Sequence, residues 1–290
     1  MTSYSRRRFL VVGGSLVLAG PSILAACGSD ESDGGRASRV GLALLPFFQS
    51  GTIATGTQRL AIGVGDRDAI LTADELPSEL QVQFLKDGDE VGPPVTAPLH
   101  SKGLPRPYFP FHTSFTEPGA YDAVARIDGQ EATLTFELVP PERVAIPQAG
   151  DALIPVDTPT TDDHRGVEPI CTRQPECSLH DVTLTEALGE GRPVALLIAT
   201  PAYCQTAACG PVLDVVLTAG GAYADRVRLV HAEVYTDGTI ATPAPVVSTY
   251  QLTFEPCLFL ADASGTIVER LDVLFDEVEV AASLERLVSA

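Results

Sequence analysis

The first half of the chain contains short runs in which apolar and polar residues alternate. Four such runs occur, at 58–64, 80–85, 120–127 and 132–138. Period-two alternation places apolar side chains on one face of a strand and polar side chains on the other, which is typical of half-buried antiparallel strands. Asp-Gly pairs at 87–88 and 128–129 stand at strand ends and favour tight turns. The pattern predicts a small all-β sandwich over residues 40–140.

The second half has a different pattern. Residues 193–199 are apolar throughout, as a strand buried on both faces of a parallel sheet should be, and a second buried strand is expected at 227–234. An apolar helix is expected at 211–217 between them, which makes a βαβ unit. Upstream we expect a short strand at 181–184 and a helical turn at 185–188. The second domain, over residues 171–290, is therefore predicted to be α/β.

Further elements complete this half. A strand is expected at 257–261, followed by a hairpin turn at Asp262–Gly265. An amphipathic helix begins after Asp276, with Asp276 and Glu279 spaced as in a capping box. Residues 141–170 separate the two domains, and they are rich in proline with little apolar periodicity. We therefore expect this segment to be an extended linker.

A tyrosine at the start of one predicted strand refines the fold of the first domain. Pro118-Gly119-Ala120-Tyr121 resembles the tyrosine corner of immunoglobulin-like sandwiches. The resemblance covers only these residues. It implies an immunoglobulin-like arrangement of the N-terminal strands.

The beginning of the chain carries a targeting pattern. Arg6-Arg7-Arg8 precedes an apolar stretch from Phe9 to Ala26, which ends in Leu24-Ala25-Ala26-Cys27. This resembles a twin-arginine export signal with a lipobox. The resemblance implies removal of residues 1–26, lipidation of Cys27, and a lipid anchor on the extracytoplasmic side of the cell membrane. Residues 27–39 then form a flexible polar tether. An uncleaved anchor, or cleavage elsewhere, is the alternative.

The charge of the chain excludes some partners. The 290 residues include 38 acidic and 19 basic side chains, for a formal charge of −19. Proteins that bind nucleic acid neutralise phosphates with a basic surface, so we expect no nucleic-acid partner. A polybasic patch for lipid headgroups is excluded on the same ground.

Two cysteines stand where a predicted buried strand gives way to the predicted helix. Cys204 follows the apolar run at 193–199, Cys209 comes five positions later, and Glu255-Pro256 directly precedes the strand at 257–261. With this order of elements, residues 181–290 resemble a thioredoxin-fold domain. A thiol at a helix N-terminus is stabilised as thiolate by the unpaired N–H groups there.

The thioredoxin resemblance implies a chemistry and a site. Cys204 would attack the substrate, Cys209 would resolve the mixed disulfide, and Pro256 would be the cis-proline that faces Cys204. The implied activity is thiol–disulfide exchange with protein thiols or disulfides outside the cytoplasm, with no cofactor. The domain would then be a thiol–disulfide oxidoreductase.

The chain departs from the thioredoxin pattern at two points. Four residues separate Cys204 and Cys209, whereas two residues separate the two cysteines of the family. A helix that began at Cys204 would hold the pair about 7.5 Å apart along its axis, so a disulfide would need local unwinding. A helix that began at Pro211 would leave both cysteines free to pair. The sequence does not decide between these two starting points of the helix.

The other departure is on the strand before the cysteines, where Ile198 stands at the position at which the family usually carries a buried acid.

Three further cysteines need a role. Cys171 and Cys177 are close enough in sequence for a structural disulfide, and that is our assignment. Cys257, inside a predicted strand, is interpreted as a small buried apolar residue. His164 and His180 flank the first pair, so a Cys2His2 metal site is conceivable, but the ligand spacing is not tight and an oxidising compartment favours the disulfide. His231 is interpreted as a core histidine.

Two other functions compete with thiol–disulfide exchange. Residues 200–210 also resemble the peroxidatic turn of peroxiredoxins whose resolving cysteine lies five positions on. That family normally has Thr three residues before the first cysteine, where this chain has Pro201, and no activating arginine can be assigned. Alternatively, the domain is a thioredoxin-like binding scaffold whose disulfides are structural, because a fold does not fix a function.

Overall fold

Eight strands build the first half of the chain. In the computed structural model, which describes residues 41–289, they are β1 (Ala43–Pro46), β2 (Gly56–Gly65), β3 (Glu79–Lys86), β4 (Asp89–Glu90), β5 (Val95–Pro98), β6 (Phe109–Phe115), β7 (Gly119–Ile127) and β8 (Gln130–Leu138). One antiparallel sheet has the order β1-β2-β6. The other has the order β4-β3-β7-β8, and β5 also pairs with β3.

The two sheets share one hydrophobic core. Alternate residues of β3 are buried, and Phe84 packs edge-on against Phe111 from the other sheet. Apolar faces that cannot be left in water stabilise such two-layer packing. The Asp-Gly turns form as predicted, since Asp128 and Gly129 both have positive φ, at 50° and 79°, in the two-residue connection between β7 and β8.

Strand β6 forms although it contains a proline, Pro110. Phe109 and Phe111 are fully buried in this regular strand. Pro110 pairs with Ala61 of β2. Because β6 is an edge strand of its sheet, the missing N–H of a proline is tolerated there.

The second half is an α/β unit. Its elements are α1 (Leu184–Gly189), β9 (Val194–Ile198), α2 (Cys209–Gly221), β10 (Arg228–Ala232), α3 (Pro245–Thr249), β11 (Cys257–Ala261), β12 (Ile267–Asp272) and α4 (Glu277–Ser289). The sheet order is β10-β9-β11-β12. β10 is parallel to β9, whereas β11 is antiparallel to both β9 and β12. From β9 onwards the four strands, α2 and α4 follow one another in the order expected from the thioredoxin resemblance, and α3 is an additional element.

Helices cover both faces of this sheet. Ala195 and Leu197 of β9 pack with α2 and α4, while Leu196 and Ile198 pack with α1 and α3. All five residues of β9 are buried, which explains its uninterrupted apolar sequence.

The expected strand at 181–184 is wrong. Helix α1 begins at Leu184, and Thr183 is its N-cap. The Thr183 hydroxyl accepts a hydrogen bond from the Glu186 backbone N–H at 3.0 Å, and the Glu186 carboxylate accepts from the Thr183 N–H at 2.9 Å. This is a complete capping box, and the helix begins one residue before the predicted one.

The proline-rich segment at 141–170 packs against the second half. It has no regular element beyond a short 3-10 turn at Pro141–Arg143. Leu153 and Val167 are nevertheless buried in the core below α1 and α3. The Leu153 N–H donates to the Gly265 carbonyl at 2.8 Å, beside β12. The segment is therefore part of the folded unit that includes all of the described residues.

The predicted targeting features lie outside the described residues. This holds for the signal at 1–26, for Cys27 and for the tether at 27–39. Among the described helices, none has the length and apolar character that a membrane span requires.

Candidate redox site

Cys204 lies in a loop between strand β9 and helix α2. The loop begins with two hydrogen bonds to the Thr200 carbonyl, from the N–H groups of Tyr203 and Cys204 at 3.3 and 3.1 Å. Ala207 adopts a left-handed conformation with φ of 57°, and α2 then begins at Cys209. The helix thus starts between the two positions that the sequence left open. Cys204 precedes it, so the helix itself does not hold the two cysteines apart.

The Cys204 sulfur faces the beginning of α2. Its Sγ accepts a hydrogen bond from the Cys209 backbone N–H at 3.4 Å and lies 3.2 Å from the Thr206 hydroxyl. The Cys209 thiol and the Thr206 hydroxyl lower the pKa of Cys204 to about 5, although its partial burial acts in the opposite direction. Cys204 is therefore a thiolate at neutral pH, and the thiolate is the nucleophilic form.

Cys209 has the opposite character. It is fully buried, and burial together with the adjacent Cys204 raises the pKa of its thiol. One partly exposed thiolate beside one buried thiol is the asymmetry that an attacking and a resolving cysteine need.

Glu255 and Pro256 complete the site from the opposite side. The Glu255–Pro256 peptide bond is cis, and Pro256 is buried directly before β11. A carboxylate oxygen of Glu255 and the two sulfurs of Cys204 and Cys209 all lie within 4.8 Å of one another. Burial, and then the charge of Cys204, raise the pKa of Glu255. An acid thus stands beside the buried thiol although β9 carries Ile198 at the expected position.

Cys257 does not join this site. It is fully buried, and burial raises the pKa of its thiol. Its Sγ donates to Asp272 Oδ1 on the neighbouring strand at 3.4 Å. This environment fits the predicted role of a small buried residue.

A second cluster of cysteines lies close to the redox loop. Cys171, Cys177, His180 and His231 each place one ligand-type atom within 4.8 Å of the others, and all four are buried. The five described cysteines are separate thiols in the structure. Hydrogen bonding between the first two raises the pKa of Cys177 and lowers that of Cys171. The disulfide assigned to this pair stays a prediction.

His164, which the sequence placed beside this pair, is elsewhere. Its Nδ1 pairs with Glu168 at 2.5 Å on the surface. His231 of β10 takes the position instead. Its Nδ1 lies 3.5 Å from Cys177 Sγ and 3.1 Å from His180 Nε2.

Thr172 connects the two cysteine clusters. Its hydroxyl accepts a hydrogen bond from the Ala202 backbone N–H at 3.0 Å and donates to Glu233 Oε1 at 2.8 Å. The Thr172 backbone N–H also donates to the same carboxylate oxygen. The segment that carries Cys171 is thereby fixed to the loop that carries Cys204.

Two residues of these clusters were missed as functional residues. The available signal for Glu255 was its position in the sequence next to Pro256. For His231 the only signal was weak, namely that it is a polar residue inside an apolar strand. Both reach their clusters through strand pairing that a single sequence does not show.

A cavity of about 740 Å³ is not part of the redox site. It lies between the two halves and is lined by residues of β2, β12 and α4 among others. Arg59, Arg270 and Arg286 contribute to its walls, whereas none of the described cysteines does.

Comparison with known proteins gives matches among solved structures only. No protein-family model and no curated protein matches the chain. A thiol:disulfide interchange protein from Bacteroides sp. is 13% identical with a TM-score of 0.36, over 50% of this chain and 93% of that one. MTB dsbF is 19% identical with a TM-score of 0.29, over 37% and 88%. DsbH oxidoreductase is 14% identical with a TM-score of 0.29, over 51% and 98%.

The similarity to these oxidoreductases is low in both identity and TM-score. The thioredoxin-like description of the second half therefore depends on its own strand order, on the cysteine loop before α2 and on the cis-proline before β11.

Proposed function

We propose that the chain is a thiol–disulfide oxidoreductase in which Cys204 attacks and Cys209 resolves. The observation that carries the proposal is the position of Cys204. It is a partly exposed thiolate in front of α2, within 4.8 Å of both the buried Cys209 thiol and Glu255. Protein thiols or disulfides are the proposed substrates, because the site contains two sulfurs and needs no further cofactor for exchange.

The exchange consists of two displacements at sulfur. The Cys204 thiolate attacks one sulfur of a substrate disulfide, so a mixed disulfide forms and the other substrate sulfur leaves as thiolate and takes up a proton. Cys209 then loses its proton, attacks Cys204 Sγ and releases the second substrate thiolate. The substrate gains two electrons, and Cys204 and Cys209 become a disulfide. The reverse sequence oxidises a substrate dithiol.

Glu255 is the proposed proton acceptor for Cys209. A buried thiol with a raised pKa resists deprotonation, so its attack needs a nearby base. Burial raises the pKa of Glu255 and thereby makes its carboxylate a better base. In this proposal Glu255 replaces the acid that β9 lacks at Ile198.

A peroxidase function has less support. A peroxidatic thiolate is expected to be activated by an arginine, and the groups that lower the pKa of Cys204 are Cys209 and Thr206. Pro201 also stands where the peroxiredoxin turn has Thr. A binding scaffold with structural disulfides is the remaining alternative, and the redox experiment below decides between it and exchange.

The proposal also includes the organisation of the chain into domains. We propose a first domain at 40–140 with an immunoglobulin-like arrangement, a connector at 141–170 and a thioredoxin-like domain at 171–290. The Tyr121 hydroxyl supports the first, since it donates to the Glu117 carbonyl at 2.7 Å, as in a tyrosine corner.

The proposed location is the extracytoplasmic face of the cell membrane, with a lipid on Cys27 after removal of residues 1–26. The pattern of Arg6-Arg7-Arg8 and Leu24-Ala25-Ala26-Cys27 supports it. Metabolic labelling with a fatty acid tests it. Label should enter the wild-type chain and be absent from Cys27→Ala. Equal labelling of both chains would contradict the proposal.

Redox titration of the purified chain tests the exchange chemistry. At each potential, thiols are alkylated and mapped by mass spectrometry. Exchange predicts that Cys204 and Cys209 titrate together, at a potential above about −300 mV. Cys209→Ser should leave Cys204 trapped as a mixed disulfide with substrate. Resistance of the pair to reduction, or failure to pair, would support the scaffold function instead.

A further inference from the structure

Two thiols and two imidazoles meet in the interior beside the redox loop. Cys171, Cys177 and His180 come from the segment before α1, and His231 comes from β10. These four residues are 0%, 7%, 1% and 0% exposed. Each offers one ligand-type atom within 4.8 Å of the other three. The four groups form a closed set, separate from Cys204 and Cys209.

Two of the distances within this cluster are close to those of a tetrahedral metal site. With Zn–S of about 2.3 Å and Zn–N of about 2.0–2.1 Å, a tetrahedron has ligand–ligand separations of about 3.3–3.8 Å. Cys177 Sγ lies 3.5 Å from His231 Nδ1, and His231 Nδ1 lies 3.1 Å from His180 Nε2. Shifts of a few tenths of an ångström would bring these two pairs of atoms to the separations of ligands in a tetrahedral zinc site.

The tautomer of His231 is set for coordination. Its Nε2 lies 3.0 Å from the Ala199 carbonyl oxygen, which can only accept, so Nε2 carries the proton. In the neutral ring the lone pair is then on Nδ1, which faces Cys177 and His180. Metal-binding histidines generally donate their other N–H to an oxygen in this way.

His180 lacks such an anchor. It is fully buried, and its Nδ1 has no hydrogen-bond partner among residues 41–289. Its Nε2, in contrast, lies 3.1 Å from His231 Nδ1. The nitrogen of His180 that faces the other groups of the cluster is therefore Nε2, and this is the atom that would bind an ion.

We propose that Cys171, Cys177, His180 and His231 bind one zinc ion in a closed tetrahedral site. A disulfide between Cys171 and Cys177 would use the same sulfurs, but it gives no role to two imidazole nitrogens that face them. A tetrahedral set of two sulfurs and two nitrogens favours zinc. Because protein atoms fill all four positions, the ion has a structural role.

The zinc site supports the redox loop. The Ala199 carbonyl that accepts from His231 is adjacent to Thr200, where the loop begins. On the other side, Thr172 follows Cys171 and accepts a hydrogen bond from Ala202. The ion would therefore fix both the strand end and the outer segment between which Cys204 is presented.

Metal analysis of the full chain, purified from a reducing cytosol with zinc in the medium, tests the proposal. We expect one zinc per chain. The double variant Cys204→Ser/Cys209→Ser is the matched control, because it removes the other cysteine pair and should keep the zinc. Cys171→Ser and His231→Gln should each lose most of it. Cobalt exchanged into the wild-type chain should show the visible bands of tetrahedral thiolate coordination.

Other outcomes would overturn the proposal. One is a wild-type chain without zinc whose intact mass is lower by two hydrogens and whose peptides link Cys171 to Cys177. Another is zinc that disappears in the Cys204→Ser/Cys209→Ser variant, since the ion would then belong to the redox cysteines. Both are measured on chains with intact histidines, so the test does not depend on whether the histidine variant folds.

Discussion

The guanidinium of Arg59 in β2 forms a bidentate ion pair with the carboxylate of Glu279 in α4. The Nε–Oε1 and Nη2–Oε2 distances are 2.5 and 2.7 Å, and the side chains are 5% and 6% exposed. The Tyr108 hydroxyl donates to the same carboxylate. The β half and the α/β half of the molecule are thus joined by a buried charge pair whose oxygens are hydrogen-bonded.

Removal of one partner of this pair should be strongly destabilising. In Glu279→Ala, Arg59 is left buried without a counter-charge, which typically costs about 3–5 kcal/mol. Urea unfolding measures the loss. The control is Glu131→Ala, because Glu131 pairs with Arg126 on the surface at 3.6 Å and exposed pairs contribute at most about 1 kcal/mol. Equal losses in the two variants would mean that the buried pair does not stabilise the contact.

The same carboxylate predicts acid sensitivity. Burial would raise the pKa of Glu279, but the charge of Arg59 and the hydrogen bonds from Arg59 and Tyr108 lower it below its ordinary 4.5. The stability contributed by a lowered pKa is fully present above pH 4.5 and is lost as pH falls through the folded-state value. In Arg59→Met burial dominates, so acid unfolding should begin at a higher pH. Circular dichroism across the acid range would show no shift if the pair were unimportant.

We expect the loss of the Tyr121 hydroxyl, in the β half, to have a smaller effect on stability. Tyr121→Phe removes the hydrogen bond to the Glu117 carbonyl and keeps the ring contacts with Phe115 and Phe136. A hydrogen bond of this kind contributes about 0.5–1.5 kcal/mol net. Unfolding in urea should show a loss in this range. A loss several times larger would mean that the ring itself has moved.

The reactivity of Cys204 should follow its thiolate. The rate of alkylation of the reduced chain should rise with pH around a midpoint near the pKa of about 5. In Cys209→Ala the midpoint should move up towards 9.0, since the Cys209 thiol is the strongest contributor to the lowered pKa. Thr206→Val should move it in the same direction by less. A wild-type midpoint at the ordinary value would show that the thiolate is not stabilised.

Glu255 predicts a defect confined to the resolving step. In Glu255→Gln the first attack by Cys204 should persist, while closure of the Cys204–Cys209 disulfide from a mixed disulfide should slow by about 10²-fold, the lower range for a lost general base. Rapid quenching of a preformed mixed disulfide measures closure.

The pH profile separates proton transfer from a structural role of Glu255. In the wild type, closure should slow as pH falls through the pKa of Glu255, which burial raises above 4.5. Glu255→Gln should lack this step, and Glu131→Gln should retain it. A profile unchanged by Glu255→Gln would exclude Glu255 as the proton acceptor.

Local patterns were sufficient for much of the fold. Strand β7 was predicted from alternation within one residue of its ends, and the hairpin at Asp262–Gly265 follows from turn residues. Residues that act through distant partners were not predictable in this way. Glu279 is spaced for a capping box, and Asp276 does accept from its N–H at 3.0 Å, yet its carboxylate pairs with Arg59 instead. The Glu279 carboxylate pairs with a buried cation that is distant in sequence, and so it does not make the local contact that a capping box predicts.

The two candidate sites also differ in how far they could be predicted from local patterns. Cys204 and Cys209 could be predicted because the strand, the loop and the helix are contiguous. The partners of Cys177 could not, because His231 arrives only through the parallel pairing of β10 with β9. His164, which is closer in sequence, contacts Glu168 on the surface instead.

The separation between Cys177 and His231 also sets an order of events. They lie 54 residues apart, and β9, α2 and β10 must assemble before their side chains meet. A folding chain therefore has two neighbouring thiols well before it has a cavity with four ligands, because contacts distant in sequence close late. In oxidising surroundings the thiols have time to pair with each other. Where thiols stay reduced until folding is complete, all four groups would be available to the proposed zinc ion, so the compartment of folding would select between a disulfide and a metal ion.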